Sequence, residues 1–296
     1  MIATAALVLP NFVLILLGLV LSRRFAYARA FWEGLERLVY YVLFPALLLR
    51  SLALARIDLA STGLLIACAL GFTLAGFALA LVPRLFGVDA RTVAAGSQCA
   101  YRFNTYIGLA VAGSLFGNPG VALTALLLGA MIPVVNFTAV AMLASQGGRG
   151  LAAELASNPL LVSTLAGFAW NASGIPVPGF VDQTLGLLGQ ASLPAGLLCV
   201  GAAMRLERSG SGSLAVHGYW LLLKLAVVPL MALALVHAFG FQGLQAHVLL
   251  LCAALPTATN AYILAVRMAG EGRVAALQVT WGTLASMATL PIWMAL

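Results

Sequence analysis

The chain is a succession of apolar stretches, each close to the length that crosses a bilayer, and two of them carry the same polar interruption. A spanning helix takes about 20 mostly apolar residues. Ten spans are predicted on that rule, at roughly 5–22, 36–55, 60–83, 92–116, 120–144, 158–174, 184–204, 214–239, 245–267 and 273–295. The fourth is interrupted by Asn104-Thr105-Tyr106-Ile107 and the ninth by Asn260-Ala261-Tyr262-Ile263. In hydrocarbon every backbone polar group needs an internal partner, so a polar break must face protein or a water-filled cavity.

Composition agrees. The 296 residues are 63% hydrophobic and 8% charged, against about 25% charged in a soluble domain. An all-α integral membrane protein is expected, with the lipid bilayer as its solvent. Net charge is +7. In a soluble chain that would suggest nucleic acid, but these charges fall in short loops, where excess Arg sets topology. No nucleic-acid partner is expected. Cys68, Cys99, Cys199 and Cys252 lie in apolar stretches without zinc-like spacing, so they read as small buried residues. No metal and no cofactor is expected. No basic residue precedes the first apolar stretch, which argues against a cleaved signal peptide.

Loop charges orient the spans. Arg23, Arg24, Arg29 and Arg37 surround the first loop, Arg84 and Arg91 the third, and Arg149 the fifth. Arg205 and Arg208 follow the seventh span, and Arg267 and Arg273 the ninth. Loops after even-numbered spans hold Arg50 and Arg56 only. The odd loops are therefore predicted on the cytoplasmic face, with both termini outside.

A repeat underlies the pattern. Pro10 and Gly18 recur as Pro159 and Gly167, and Phe44-Pro45-Ala46 recurs as Leu193-Pro194-Ala195, all at one constant spacing. Val121-Ala122 with Gly129 recurs as Val274-Ala275 with Gly282 at a slightly longer one. Two five-span repeats are predicted, 1–147 and 148–296. Five is odd, so the second repeat enters the membrane from the opposite side. Inverted repeats with broken helices are how secondary transporters build a site near the midplane.

The residues at the breaks suggest an anion. Pro256 removes a backbone donor and crowds the preceding turn. Thr257, Thr259 and Asn260 follow it, and the first copy has Gln98, Arg102, Asn104 and Thr105, then Gly108 to relax the helix. Half-helix N-termini present free N–H groups and positive dipole ends, which favour anions. The two charges predicted inside spans, Arg102 and Lys224, are positive, while all eight acids fall at span ends or in loops. Arg102 reads equally as a snorkelling side chain, and Lys224 as a structural one. Asn104 and Asn260, in equivalent positions, are the leading site candidates. Asn11, Gln190 and Ser192 lie near Pro10 and Pro194. They read either as an opposite wall of the site or as interhelical hydrogen-bonding groups.

Three segments carry a family resemblance: Leu43-Phe44-Pro45-Ala46-Leu47-Leu48, Arg102-Phe103-Asn104-Thr105-Tyr106-Ile107-Gly108-Leu109 and Leu255-Pro256-Thr257-Ala258-Thr259-Asn260-Ala261-Tyr262. Together with Thr289-Leu290-Pro291-Ile292-Trp293, they resemble the auxin efflux carrier family, bacterial type, within the bile-acid/arsenite/auxin transporter superfamily. The resemblance covers essentially the whole chain. It implies ten helices as two inverted five-helix repeats, with helices 4 and 9 crossing. Helices 1, 2, 6 and 7 would form a scaffold, and helices 3–5 and 8–10 a transport domain that shifts like an elevator. It implies a small organic anion as substrate, auxin-like or malonate-like, and a bacterial cytoplasmic (inner) membrane. Substrate-binding positions carried over are Asn104, Asn260, Arg102, Tyr106, Tyr262, Thr257 and Thr259. Gly108 and Pro256 would be the helix breaks, and Asn11, Pro45, Gln190, Ser192 and Pro194 a scaffold wall. A homodimer through the scaffold helices is the candidate assembly. Ala110 stands where the family usually has proline, so a softer first break is expected.

Other classes are weighed against this one. A sodium-coupled bile-acid-type symporter would use Gln98, Thr257, Thr259 and Asn260 as oxygen ligands. A receptor with Lys224 as a Schiff-base lysine lacks an intramembrane acid. A hydrolase lacks a nucleophile and base at one depth, so no enzyme is expected.

Overall fold

The computed structural model describes residues 2–25, 27–54, 59–143, 159–204, 214–258, 261–262, 265 and 272–296. Among these residues the chain is helical, with no strand. In order the helices are α1 (Ile2–Arg24), α2 (Arg29–Leu38), α3 (Phe44–Ala53), α4 (Leu59–Ala80), α5 (Val82–Leu85), α6 (Ala90–Tyr101) and α7 (Thr105–Leu143). Then follow α8 (Pro159–Ser173), α9 (Gly179–Ala203), α10 (Leu214–Leu222), α11 (Val228–Phe239), α12 (Gly243–Ala254) and α13 (Gly272–Trp293).

Four stretches are long and apolar enough to cross a membrane by length and composition: Thr62–Leu85, Ala90–Ala139, Gly179–Ala203 and Leu214–Phe239. Gly243–Ala254 is a shorter apolar helix. Helix α7 contains the end of the fourth predicted span and all but the last residue of the fifth. The two are divided at Gly117, where φ is 61° and ψ −154°. A left-handed residue ends one helix and starts another, and glycine takes that conformation without steric cost. α1 turns Leu9, Val13, Leu16, Leu17 and Val20 outward, an apolar surface that fits contact with lipid.

Two π-helical turns have a common cause. Val39–Leu43 joins α2 to α3, and Leu223–Val227 joins α10 to α11. Each ends just before a Phe44-Pro45 or Val228-Pro229 pair. Proline offers no N–H to the carbonyl four residues back and its ring crowds it. The preceding residue reaches one residue further: Phe44 N–H donates to the Val39 carbonyl, and Val228 N–H to that of Leu223. Pro45 thus acts on the backbone of its own rod.

The second predicted span starts differently from expectation. α2 begins at Arg29 and buries none of its residues. Its Arg29 pairs with Glu33 at 2.7 Å, while Phe31 and Leu38 stay exposed. Four charged residues in ten are too polar for hydrocarbon, and an amphipathic helix of this kind suits an interface. The apolar rod begins at Val39.

Helices in lipid gain little from hydrophobic association and rely on close packing over small residues. The two most extensive pairings, α1 with α9 and α3 with α8, are of this kind. A Cβ on Gly18 would sit 2.1 Å from the Leu198 carbonyl oxygen, and one on Gly167 would sit 2.9 Å from that of Leu49. The two pairs are related by the same spacing that relates Pro10 to Pro159: Gly18 becomes Gly167 and Leu49 becomes Leu198. Each half of the chain lends a glycine to a helix of the other.

Candidate functional site at the helix crossover

The first break is a non-helical segment, Arg102–Phe103–Asn104, between α6 and α7. α6 starts at an N-cap, Asp89, whose side chain accepts from Thr92 N–H at 2.9 Å. Those hydrogen bonds hold the Asp89 carboxyl below its ordinary range. The helix stops at Tyr101, and Arg102 turns to φ −73°, ψ 158°. α7 then starts on Asn104, whose side-chain oxygen accepts from Tyr106 N–H at 3.0 Å and Ile107 N–H at 3.3 Å. That is the chemistry of an asparagine N-cap.

The break does not fall at Gly108, which lies inside α7. A Cβ there would stand 2.7 Å from Leu255 Cδ1, so this glycine makes room for the other broken segment. Nor does Ala110 soften the break: it too lies within α7, and the non-helical residues 102–104 precede it by six positions or more.

The second break follows α12. Leu255 turns to φ −60°, ψ 138°, and residues 255–258 are non-helical. Pro256 occupies this segment as expected. The two breaks touch: Asn104 N–H donates to the Pro256 carbonyl at 2.8 Å, and the Thr257 hydroxyl donates to the Cys99 carbonyl. Asn104 and Thr257 are both 2% exposed. Thr259 and Asn260 lie outside the described residues.

The two intramembrane cations are buried here. Arg102 is 8% exposed and donates from NH2 to Asn136 Oδ1 at 3.1 Å. It turns inward and does not snorkel. Lys224 sits in the second π turn and donates from Nζ to the Ala253 carbonyl at 3.2 Å. That places an ammonium at the C-terminal, negative end of α12. Among the described residues no carboxylate pairs with Lys224.

A cavity lies at each end of the α1/α9 pair. One, of about 520 Å³, is lined by Arg23, Glu36, Cys199, Tyr262 and Thr280 among others. Burial and the neighbouring Glu33 push the Glu36 carboxyl above its ordinary range. The other, of about 620 Å³, is lined by Asn11, Arg50, Ser114, Asn118, Gln190 and Pro194 among others. Neither reaches Asn104 or Thr257. The expected wall is therefore split. Asn11, Gln190 and Pro194 share the Arg50 cavity, and Asn11 Nδ2 donates to Ser114 Oγ at 3.1 Å, tying α1 to α7. Ser192 is fully buried and donates to the Gly189 carbonyl of its own helix at 2.6 Å. Tyr106 lines neither cavity and stacks on Phe44 at 4.7 Å, with the rings 6° from parallel. Arg50, Ser114, Asn118 and Glu36 were not singled out as site residues by the sequence. Their one signal is an isolated polar side chain near a span end.

The family model described as membrane transport protein matches residues 149–294. A protein named "Uncharacterized transporter" from Methanothermobacter thermautotrophicus is 28% identical over 296 residues, covering 97% of this chain and 96% of its own. A protein named "Putative malonate transporter" from Rhizobium meliloti is 29% identical over 307 residues, covering 96% of this chain and 92% of its own. The two broken segments that carry the resemblance touch at Asn104 and Pro256, and the chain is similar to membrane transport proteins, the auxin efflux carrier family, through the match over residues 149–294 and these two relatives.

Proposed function

We propose that the chain is a secondary transporter that carries a small organic anion across a bacterial cytoplasmic membrane by an elevator-type shift of its crossover. One observation carries this reading: two broken helices from opposite halves meet at Asn104 and Pro256, with a cavity at either end of the α1/α9 pair, neither lined by Asn104 or Thr257. A buried site with two separate approaches needs alternating exposure. The buried cations Arg102 and Lys224 favour an anion, as does the N-terminal end of α7. Asn104, Asn260, Tyr262 and Thr257 are the proposed contacts, with Arg102 behind them.

The proposed architecture is ten spans in two inverted repeats, both termini outside. The exchanged contacts Gly18–Leu198 and Gly167–Leu49 support it, because one spacing relates both pairs. α1, α3, α8 and α9 would be the scaffold and the surface for a homodimer. Malonate, named for the Rhizobium meliloti relative, is the first substrate to test. Counterflow in proteoliposomes with labelled malonate and a panel of mono- and dicarboxylates is the direct measurement. Exchange of one or more carboxylates is expected. Competition by an organic cation, with no carboxylate effective, would overturn the anion reading.

A sodium-coupled mode has one observation in its favour. Gln98 is fully buried, and its Oε1 has no hydrogen-bond partner among the described residues. Hard cations take such oxygens. Uptake with and without a sodium gradient separates the two modes.

A further inference from the structure

Arg50 breaks the charge pattern of the chain. It is one of two basic residues in the sparsely charged even-numbered loops, yet its guanidinium is not left in open solution. It lies in the last turn of α3 and lines the 620 Å³ cavity with Asn11, Ser114, Asn118 and Gln190. Arg50 Nε donates to Asp182 Oδ1 at 2.6 Å and to the Asp182 main-chain carbonyl at 3.2 Å, and NH2 donates to Oδ2 at 3.3 Å. Asp182 therefore occupies the side edge of the guanidinium. A guanidinium has five N–H donors in a planar fork. The end edge, formed by NH1 and the second NH2 hydrogen, has no acceptor among the described residues. Gly186 packs against the group, where a Cβ would come within 3.4 Å of Nε, so this glycine leaves that contact free of a side chain.

We propose that this cavity is a carboxylate-capture site, in which the free end edge of the Arg50 guanidinium binds the carboxylate of a small organic acid. The geometry of two parallel N–H groups matches a carboxylate and gives a bidentate pair. Asp182 has two effects. It fixes the plane of the fork, and its charge lowers the affinity for a second anion. A site on a transport route must release its ligand as readily as it takes it. The inference rests on the anion-transport reading and adds the place where the anion first docks.

The test is malonate uptake into proteoliposomes by wild type, Arg50→Gln, Arg50→Lys and Asp182→Asn, reading half-saturation and maximal rate separately, with thermal stability of each variant. Arg50→Gln should raise the half-saturation concentration about tenfold or more, the size of a charged hydrogen-bond pair. Arg50→Lys should recover part of the loss, because the charge stays and the fork is lost. Asp182→Asn keeps the shape and frees Arg50, so its half-saturation concentration should fall. A purely structural ion pair behaves otherwise. Both Arg50→Gln and Asp182→Asn would then lose thermal stability and maximal rate together, at unchanged half-saturation, and that result overturns the proposal. Should Arg50→Gln fail to fold, Asp182→Asn alone decides, since a raised or unchanged half-saturation concentration rejects capture. Wild type that carries no carboxylate rejects this inference and the anion reading together. Carboxylate uptake with an Arg50→Gln half-saturation equal to wild type rejects this inference alone.

Discussion

Asn104 donates its main-chain N–H to the carbonyl of Pro256 at 2.8 Å, while its side-chain oxygen caps α7. One residue thus closes two gaps that a broken helix opens. It supplies an acceptor for the new helix start and gives its own N–H to the opposite half of the chain.

Asn104→Ala should cost about 1 kcal/mol through the lost cap and lower transport at least tenfold. Asn104→Asp keeps the capping oxygen and should keep the stability. It adds a negative charge beside the proposed anion, so transport should still fall. Melting in detergent and uptake, measured on both variants, check this. Normal transport by the aspartate variant would count against an anion near residue 104. Asn260→Ala, in the second Asn-x-Tyr-Ile sequence, should impair transport comparably.

Gly18→Ala should destabilise more than Gly167→Ala. The added methyl would meet the Leu198 carbonyl oxygen at 2.1 Å in the first case and the Leu49 carbonyl oxygen at 2.9 Å in the second. Overpacking of this kind costs about 1–3 kcal/mol. Thermal unfolding of the two variants side by side gives the order.

Asp89→Ala removes the cap of α6 and should cost about 1 kcal/mol. The carboxyl is held below its ordinary range by its bonds to Thr92. A depressed folded pKa means the contribution is complete above the unfolded value and is lost as pH falls through the folded one. The wild-type advantage over Asp89→Ala should therefore be full at neutral pH and shrink only in strong acid. A pH series of melting temperatures for both proteins tests this.

Topology is open to labelling. The four native cysteines are buried; Cys199 also lines the 520 Å³ cavity, so Cys199→Ser is the background for labelling. A cysteine placed at Ser209, in the Arg-rich loop after the seventh predicted span, should react with an impermeant reagent only from the cytoplasmic face. Reaction from outside would reverse the orientation.

The four stretches long and apolar enough to cross a membrane were legible because apolar length is a strong signal, and residues 116 and 120 were already the edges of the turn at Gly117. The breaks were legible as polar residues inside apolar runs, but not their detailed place. Proline at 256 announces itself. The non-helical Arg102–Asn104 segment has neither proline nor glycine, whereas Gly108 draws attention although its use lies in contact with Leu255. The start at Arg29 was missed because a span rule sees hydrophobicity and not amphipathic faces. The ties Arg50–Asp182 and Asn11–Ser114 join residues over a hundred positions apart. Nothing local in either partner names the other. Ser192 looked like a wall residue because a serine in a span is ambiguous until its hydroxyl is seen on its own helix.

The crossed glycines have a consequence for how the molecule can be assembled. Gly18 opens a groove that Leu198 fills, and Gly167 opens one that Leu49 fills. Neither half contains the helix that seals its own groove. Made alone, each half would present a bare notch of backbone to lipid, which fits a notch of this depth poorly. Made together from two separate transcripts, each is the other's missing piece, as two copies of one subunit are in a two-fold dimer.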